Sequence, residues 1–247
     1  MKKLKIIVSL IFCIPVFVPT VILAMLSEVF FLLRLKKAGR AWLYFWLSIT
    51  IWWIWVTFGA KFIVKGRENL PAKGTKICYV ANHQSMMDIP ALFGAGLWGG
   101  IIAKIELRKV IGLNVIMKEL GCVYIDRKDM RQSLKAILKG VENLNSGLSM
   151  AIYPEGTRSK TGEIAAFKPG ALKMATKAKA VIVPVAIQNT RSLFEDAYTF
   201  KRIPVYVSIL EPIDTAALDE EELKNLSDHV ETLIREEYAK LPQVRKK

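Results

Sequence analysis

The first sixty residues constrain the fold most, because they contain two long apolar segments. After a lysine-rich start, the chain runs from residue 6 to residue 33 with Glu28 as its one charged side chain. A segment of this length can cross the hydrocarbon core of a bilayer. It is longer than the apolar core of a secretory signal peptide, about 7 to 15 residues, and lacks a small-residue cleavage site. We therefore predict a membrane-binding unit over residues 1–60.

The second apolar segment, residues 41–60, contains five of the six tryptophans and follows a basic link at residues 34–40. These tryptophans continue through the middle of the segment, whereas spanning helices concentrate them at the two membrane interfaces. A hairpin that crossed the membrane twice would also place many positive charges on both sides, against the usual bias. We favour a monotopic pair of helices embedded in one leaflet. The spanning hairpin is the alternative.

From Lys61 onward, short apolar stretches alternate with helical ones, which indicates an α/β domain with a mostly parallel sheet flanked by helices. We predict this domain over residues 61–247. The predicted strands are residues 62–64, 77–81, 101–103, 122–125, 149–152, 181–187 and 205–209. Amphipathic helices are predicted at residues 129–145 and 218–241. In the first of them, the residues expected to face the core are Leu134, Ile137, Leu138, Val141 and Leu144.

The stretch at residues 81–90 is the strongest candidate for chemistry. His83 follows a predicted buried strand, and the carboxyl ends of strands are where open α/β sheets place reacting groups. Asp88 falls in the first turn of the next helix, within reach of an imidazole nitrogen. A carboxylate there holds one tautomer and leaves the other nitrogen free to take a proton from a hydroxyl. We predict a catalytic His-Asp dyad without a protein nucleophile.

Two plainer interpretations compete with the dyad. Ser85-x-x-Asp88 also fits a capping box, in which the carboxylate accepts only a backbone N–H. A lone histidine is more often structural than catalytic, and motif matches are hypotheses until their context is known. Without catalysis, the chain would be a basic membrane-binding module. Replacing His83 separates the interpretations, because a helix cap tolerates loss of the imidazole.

Charge narrows the choice of partner. The net charge is +14, and residues 71–210 carry twenty Lys or Arg against ten acids, whereas residues 211–247 carry six against ten. Such a basic region fits an anionic membrane surface or a phosphorylated substrate. Nucleic acid is not indicated, because the sequence has no basic recognition helix, zinc-finger spacing or aromatic RNA-binding motif. The three cysteines are widely separated and indicate neither a disulfide framework nor a metal site.

Four motifs resemble those of the glycerolipid acyltransferase superfamily and occur in the same order. Residues 82–88 resemble its NHxxxxD signature, and residues 121–127, 153–159 and 181–187 resemble its other three motifs. Within the superfamily, the pattern is similar to that of bacterial 1-acyl-sn-glycerol-3-phosphate acyltransferases. The resemblance implies transfer of a fatty acyl group to the sn-2 hydroxyl of lysophosphatidic acid, giving phosphatidic acid. It also implies a location at the cytoplasmic face of a bacterial inner membrane.

A phosphorylated acceptor requires cationic side chains near the dyad. Lys104, Arg127 and Arg158 each lie just beyond a predicted strand end, so a parallel sheet brings them to one edge. Gly156 and Thr157 can add backbone N–H and hydroxyl donors. The resemblance implies that the glycerophosphate is bound by residues matching Arg127, Glu155, Gly156, Thr157 and Arg158.

The expected mechanism has no acyl-enzyme and uses no metal or other cofactor. His83 deprotonates the acceptor hydroxyl as it attacks the thioester carbonyl, and Asp88 orients the ring. The donor is an acyl thioester of coenzyme A or of acyl carrier protein. Acylation of glycerol 3-phosphate or of another lysolipid by the same dyad is the alternative within enzymes.

Overall fold

The two apolar segments form a helical hairpin. The structure, a computed structural model, describes residues 2–110, 112–126, 129–196 and 201–244. Helix α1 spans Lys2–Leu32 and helix α2 spans Lys36–Phe58. Both are long and apolar enough to cross a membrane. Most large side chains of α1 are exposed, among them Phe12 and Phe17, and an apolar surface of this extent is typical of a membrane-binding element.

Several polar groups of the hairpin are hydrogen-bonded between its two antiparallel helices. The hydroxyls of Thr20 and Thr50 lie 2.5 Å apart, and the indole N–H of Trp53 donates to the carbonyl of Phe12 over 2.6 Å. Hydrocarbon offers no partners to polar groups. These bonds therefore allow the hairpin to lie in an apolar layer, while the choice between one leaflet and a full crossing stays a prediction.

The sheet has eight strands in the described part of the chain. They are β1 Ala60–Lys65, β2 Ile77–Ala81, β3 Gly100–Lys104, β4 Val123–Ile125, β5 Met150–Ile152, β6 Val181–Gln188, β7 Ile203–Ile209 and β8 Ile213–Asp214. Their order is β1-β7-β6-β2-β5-β3-β4, with β8 beside β6. Strands β2 to β6 are mutually parallel, whereas β7 and β8 run antiparallel to β6. The predicted mostly parallel sheet flanked by helices is confirmed.

Helices cover both faces of the sheet. They are α3 Asp88–Gly94, α4 Leu113–Glu119, α5 Met130–Asn145, α6 Lys173–Ala178, α7 Thr190–Leu193 and α8 Glu220–Lys240. One core cluster joins α2, α3 and α4 to the sheet, and a second joins α5, α6 and α8 to its other face. The hairpin and the α5/α6 pair therefore lie on opposite faces.

The packing of α5 differs from the prediction. Leu134 and Leu138 are 54% and 46% exposed, so the expectation that they face the core is wrong. Leu144 is fully buried, and Ile137 and Val141 pack against the core, as expected. The buried side is centred on Ala136 and Gly140 instead. Any side chain at position 140 would collide with the thioether of Met174 on α6. Close helix contact at this glycine rotates the two leucines outward.

A single residue joins the hairpin to the sheet. Gly59 ends α2 in the left-handed conformation, with φ 69°, and β1 begins at the next residue. The carbonyl of Gly59 accepts the N–H of Ile203 on β7 over 2.9 Å. The joint is therefore fixed to the sheet by hydrogen bonding as well as by its length.

Candidate active site

The two residues of the predicted dyad are in direct contact. Nδ1 of His83 lies 2.7 Å from Oδ2 of Asp88. The carboxylate is fully buried, whereas 16% of the imidazole is exposed. Among the described residues, Nε2 of the same ring has no hydrogen-bond partner. This geometry fixes one ring nitrogen and leaves the other available to a bound molecule.

The carboxylate of Asp88 receives four donors. Oδ2 accepts the backbone N–H groups of Gln84 and Ser85 over 2.7 and 2.8 Å in addition to the imidazole contact. Oδ1 accepts the hydroxyl of Thr190, at the start of α7, over 2.6 Å. The Asp88 side chain thus both accepts backbone N–H groups before α3 and orients the imidazole of His83. Hydrogen bonds of this kind stabilise a buried negative charge.

The turn that carries His83 is held by side-chain to backbone bonds. Strand β2 ends at Ala81, and the amide of Asn82 then bonds both the N–H and the carbonyl of Ile187, over 2.7 and 2.9 Å. The carbonyl of His83 accepts the N–H of Ser159 over 2.8 Å. The asparagine therefore continues the ladder to β6 while its own backbone turns away.

Glu155 also holds the turn that carries His83, through hydrogen bonds to backbone N–H groups. Its two carboxylate oxygens accept the backbone N–H groups of His83, over 2.6 Å, and Ala165, over 2.8 Å. Burial raises the pKa of the Glu155 carboxyl, and the two N–H bonds oppose that rise. Both oxygens are directed at the protein's own backbone. The contact predicted from the resemblance, between Glu155 and a glycerophosphate, stays a prediction.

Tyr153 forms one wall of the dyad. Its ring stacks on the imidazole of His83, with centroids 4.1 Å apart and planes inclined by 20°. Its hydroxyl is buried without a hydrogen-bond partner in the described part of the chain. Burial raises the pKa of the Tyr153 phenol well above its ordinary value, and the charge of Asp88 adds to the rise. The phenol is therefore neutral, and its ring fixes the plane of the imidazole.

An apolar cavity of about 350 Å³ opens beside the dyad. It extends from His83 along the sheet face covered by α5 and α6. Its apolar lining comprises Ile102, Ile125, Ala136, Ile137, Ile152 and Met174. The cavity lining is therefore suited to a hydrocarbon chain, and it adjoins the imidazole.

The predicted cationic residues lie at the same sheet edge but further out. Lys104 ends β3 and pairs with Glu106 over 2.8 Å, whereas Arg158 pairs with Glu195 over 3.2 Å. Both cations are substantially exposed. Strand β3 stands two positions from β2, about 10 Å across the sheet. Arg127 lies outside the described residues.

The loop after β5 supplies the remaining predicted residues. Gly156 has φ 72°, and a Cβ there would lie 2.8 Å from Cε of Lys168, so this position requires glycine. Its N–H donates to the carbonyl of Tyr153 over 2.9 Å. Thr157 is exposed. The backbone N–H groups of Thr157 and Arg158 have no acceptor among the described residues.

Two contacts of the site were not predicted from the sequence. Thr190 is 102 residues from Asp88 along the chain. Tyr153 belongs to the motif at residues 153–159, but the motif does not predict its contact with His83. The signal for Thr190 was its position two residues after β6, since parallel strands end at a common edge. The same reasoning predicts Lys104, which ends β3.

Comparisons with known proteins agree with this geometry. A family model described as Acyltransferase matches residues 61–188. A 1-acyl-sn-glycerol-3-phosphate acyltransferase of Borreliella burgdorferi is 31% identical over 196 residues, which cover 78% of this chain and 75% of that protein. The chloroplastic LPAT1 of Arabidopsis thaliana, also named a 1-acyl-sn-glycerol-3-phosphate acyltransferase, is 34% identical over 145 residues, 59% of this chain and 39% of that protein.

A solved structure extends the similarity to the whole chain. The crystal structure of the 1-acyl-sn-glycerophosphate (LPA) acyltransferase PlsC from Thermotoga maritima is 27% identical in sequence. It superposes with a TM-score of 0.79 and covers 100% of both chains. With its two-helix hairpin, its sheet and its dyad in place, the chain is an enzyme that belongs to the acyltransferase family.

Proposed function

We propose that the enzyme transfers a fatty acyl group from an acyl thioester to the sn-2 hydroxyl of 1-acyl-sn-glycerol 3-phosphate, giving phosphatidic acid. The observation that carries the proposal is the orientation of His83. Nδ1 is bound by the buried Asp88, and the ring lines an apolar cavity. The names of the similar proteins favour lysophosphatidic acid as the acceptor.

In this mechanism, the dyad acts as a general base. Asp88 keeps a proton on Nδ1, so the lone pair of Nε2 takes the proton from the acceptor hydroxyl as its oxygen attacks the thioester carbonyl. The new C–O bond forms and the carbonyl oxygen becomes an oxyanion. When the C–S bond breaks, the departing thiolate takes the proton from the imidazolium. The free N–H groups of Thr157 and Arg158 are candidate donors to the oxyanion.

Lys104, Arg127 and Arg158 are the proposed ligands of the acceptor phosphate. Lys104 and Arg158 each pair with one carboxylate at the protein surface. Exposed ion pairs of this kind contribute only about 0–1 kcal/mol. A hydrogen bond between charged groups contributes about 1.5 to 3 kcal/mol, so a phosphate can displace the carboxylates. The Gly156 turn keeps this loop close to the dyad.

The two substrates reach the site from different phases. The hairpin places the enzyme on a membrane, which holds the lysophospholipid, and the thioester donor is water-soluble. The acyl chain of the donor occupies the cavity beside His83. Each methylene group that leaves water contributes about 0.8 kcal/mol, so the apolar part of the lining holds the chain by burial.

The test is an assay of purified enzyme with a panel of acceptors and donors. Lysophosphatidic acid, glycerol 3-phosphate and lysophosphatidylcholine are each offered with acyl-CoA and with acyl carrier protein. We expect phosphatidic acid from the first acceptor and loss of activity in His83→Ala. His229→Ala is the matched control, because that histidine is exposed on α8. Normal transfer by folded His83→Ala would refute the mechanism, and preference for another acceptor would replace the substrate.

A further inference from the structure

The outer surface of α5 and α6 combines positive charge with exposed leucines. Its cations are Arg131, Lys135 and Lys139 on α5 and Lys173 and Lys177 on α6, all exposed. Leu134 and Leu138 stand between the α5 cations, one helical turn apart. The one acidic residue in these two helices is Glu142, which pairs with Lys139 over 2.8 Å. We call these seven cationic and apolar residues the α5/α6 surface.

This surface lies directly over the cavity that leads to the dyad. Ser133 and Ile137 on α5 line the cavity on one side, and Lys168, Ala171 and Met174 line it on the other. Leu134 and Leu138 therefore continue the apolar lining from the rim of the cavity to the outside. His83 lines the same cavity, so an acyl chain that enters from this side lies next to the dyad.

The position of the surface favours a soluble partner over a lipid bilayer. The hairpin packs on the sheet face of α3 and α4, whereas α5 and α6 cover the opposite face. With the hairpin in a membrane, the α5/α6 surface is turned toward water. The neighbouring helix α8 belongs to the acidic end of the chain. An acidic partner is thus attracted to the cations of α5 and α6 and repelled by the acidic residues of α8.

We propose that the α5/α6 surface docks an acidic acyl carrier protein, which delivers its acyl chain as a thioester into the cavity below. The inference rests on the proposed function and selects the donor for the same site. The cations match an acidic helix of the carrier, and the leucine pair supplies the apolar centre that helix contacts use. Coenzyme A offers phosphates for the cations but no surface that would cover the leucines.

The test compares two pairs of adjacent residues. Leu134→Ser with Lys135→Glu alters the α5/α6 surface, and Leu223→Ser with Lys224→Glu makes the same change on α8, where Leu223 is also exposed. For each enzyme, KM is measured with palmitoyl-acyl carrier protein and with palmitoyl-CoA. Binding of a fluorescent acyl carrier protein that bears a non-hydrolysable palmitoyl thioether is measured by anisotropy at two salt concentrations.

We expect the α5 double variant to raise KM for the carrier protein about tenfold or more, since reversed rim charges weaken association. KM for palmitoyl-CoA should stay within about twofold of wild type, and the α8 variant should match wild type with both donors. Binding should weaken with salt, because screening shortens the range of charge interactions.

Other outcomes overturn the proposal. An equal rise of KM for both donors in the α5 variant would mean that the surface binds the part that the two donors share, or that the change disturbs the cavity. Loss of vesicle binding in the α5 variant would mean that the surface binds the membrane. Wild-type carrier binding in that variant, or an enzyme that uses palmitoyl-CoA alone, would remove the docking role. If wild-type enzyme binds the carrier protein through this surface but does not acylate lysophosphatidic acid, the proposed function fails and the docking site stands.

Discussion

Replacing Thr190 by valine tests whether the second oxygen of Asp88 matters to catalysis. The Thr190 hydroxyl is buried and donates to Oδ1 over 2.6 Å, on the side opposite the imidazole. Valine has nearly the same shape and leaves no cavity, but it puts a methyl group in place of the hydroxyl that donates to Oδ1. The carboxylate retains three donors, all on Oδ2.

The expected magnitude follows from the charge on the acceptor. A hydrogen bond to a charged group contributes about 1.5 to 3 kcal/mol, whereas a bond between neutral groups contributes about 0.5 to 1.5 kcal/mol. Thr190→Val should lower the free energy of unfolding by about 1.5 to 3 kcal/mol, because the acceptor is a charged carboxylate. Only the part of the bond that strengthens as the imidazolium forms affects the rate. We expect kcat to fall about tenfold, equivalent to about 1.4 kcal/mol, with KM values unchanged.

Initial rates are measured by thiol release from the donor, alongside thermal unfolding. Thr215→Val is the matched control, because its buried hydroxyl donates to the carbonyl of Ala180 over 2.8 Å, away from the site. Thr190→Ser, which keeps the hydroxyl, should retain most of the activity. Wild-type kcat in Thr190→Val refutes the reasoning, and an equal fall in Thr215→Val would show that the rate follows general stability.

Three further outcomes are expected. His83→Ala should lower kcat by at least about 10² to 10⁴, as loss of a general base does, and Asp88→Asn should be severely impaired; both should give unchanged circular dichroism. Lys104→Ala and Arg158→Ala should raise KM about tenfold for the phosphorylated acceptor and little for the thioester, since each removes a charged hydrogen bond; unchanged acceptor KM in both would exclude them from the phosphate pocket. High salt should not release the enzyme from vesicles, but detergent should. In a variant without the three native cysteines, a cysteine at exposed Ala38 should react with an impermeant thiol reagent from the cytoplasmic side. Labelling from the other side alone would establish a spanning hairpin.

The strands were predictable because each is a short apolar run that ends at a polar or turn residue. Strand β2 occupies the predicted residues 77–81, and β6 extends its prediction by one residue, to Gln188. The order of the strands was not predictable, since it depends on contacts between residues far apart in sequence. Strand β8 has only two residues, too few to show a pattern.

The site was predictable where its contacts are local. His83 and Asp88 are five residues apart and touch because one turn separates strand from helix. Thr190 and Glu155 reach the same turn from the ends of two other strands, and no periodicity links them to it. For α5, the periodicity predicted the buried Leu144 but wrongly included Leu134 and Leu138, because Gly140 has no side chain and yet lies on the side of the helix that packs against α6.

The Gly59 joint has a consequence for how the enzyme encounters its acceptor. A long flexible tether would let the catalytic unit tumble above the bilayer and present its cleft at every height and tilt. One residue, hydrogen-bonded to β7, allows no such tumbling. With the hairpin inserted and a lysophospholipid as the proposed acceptor, the search for substrate is reduced to lateral diffusion and rotation about the membrane normal. The enzyme then samples a two-dimensional population of substrate with its cleft always at one depth.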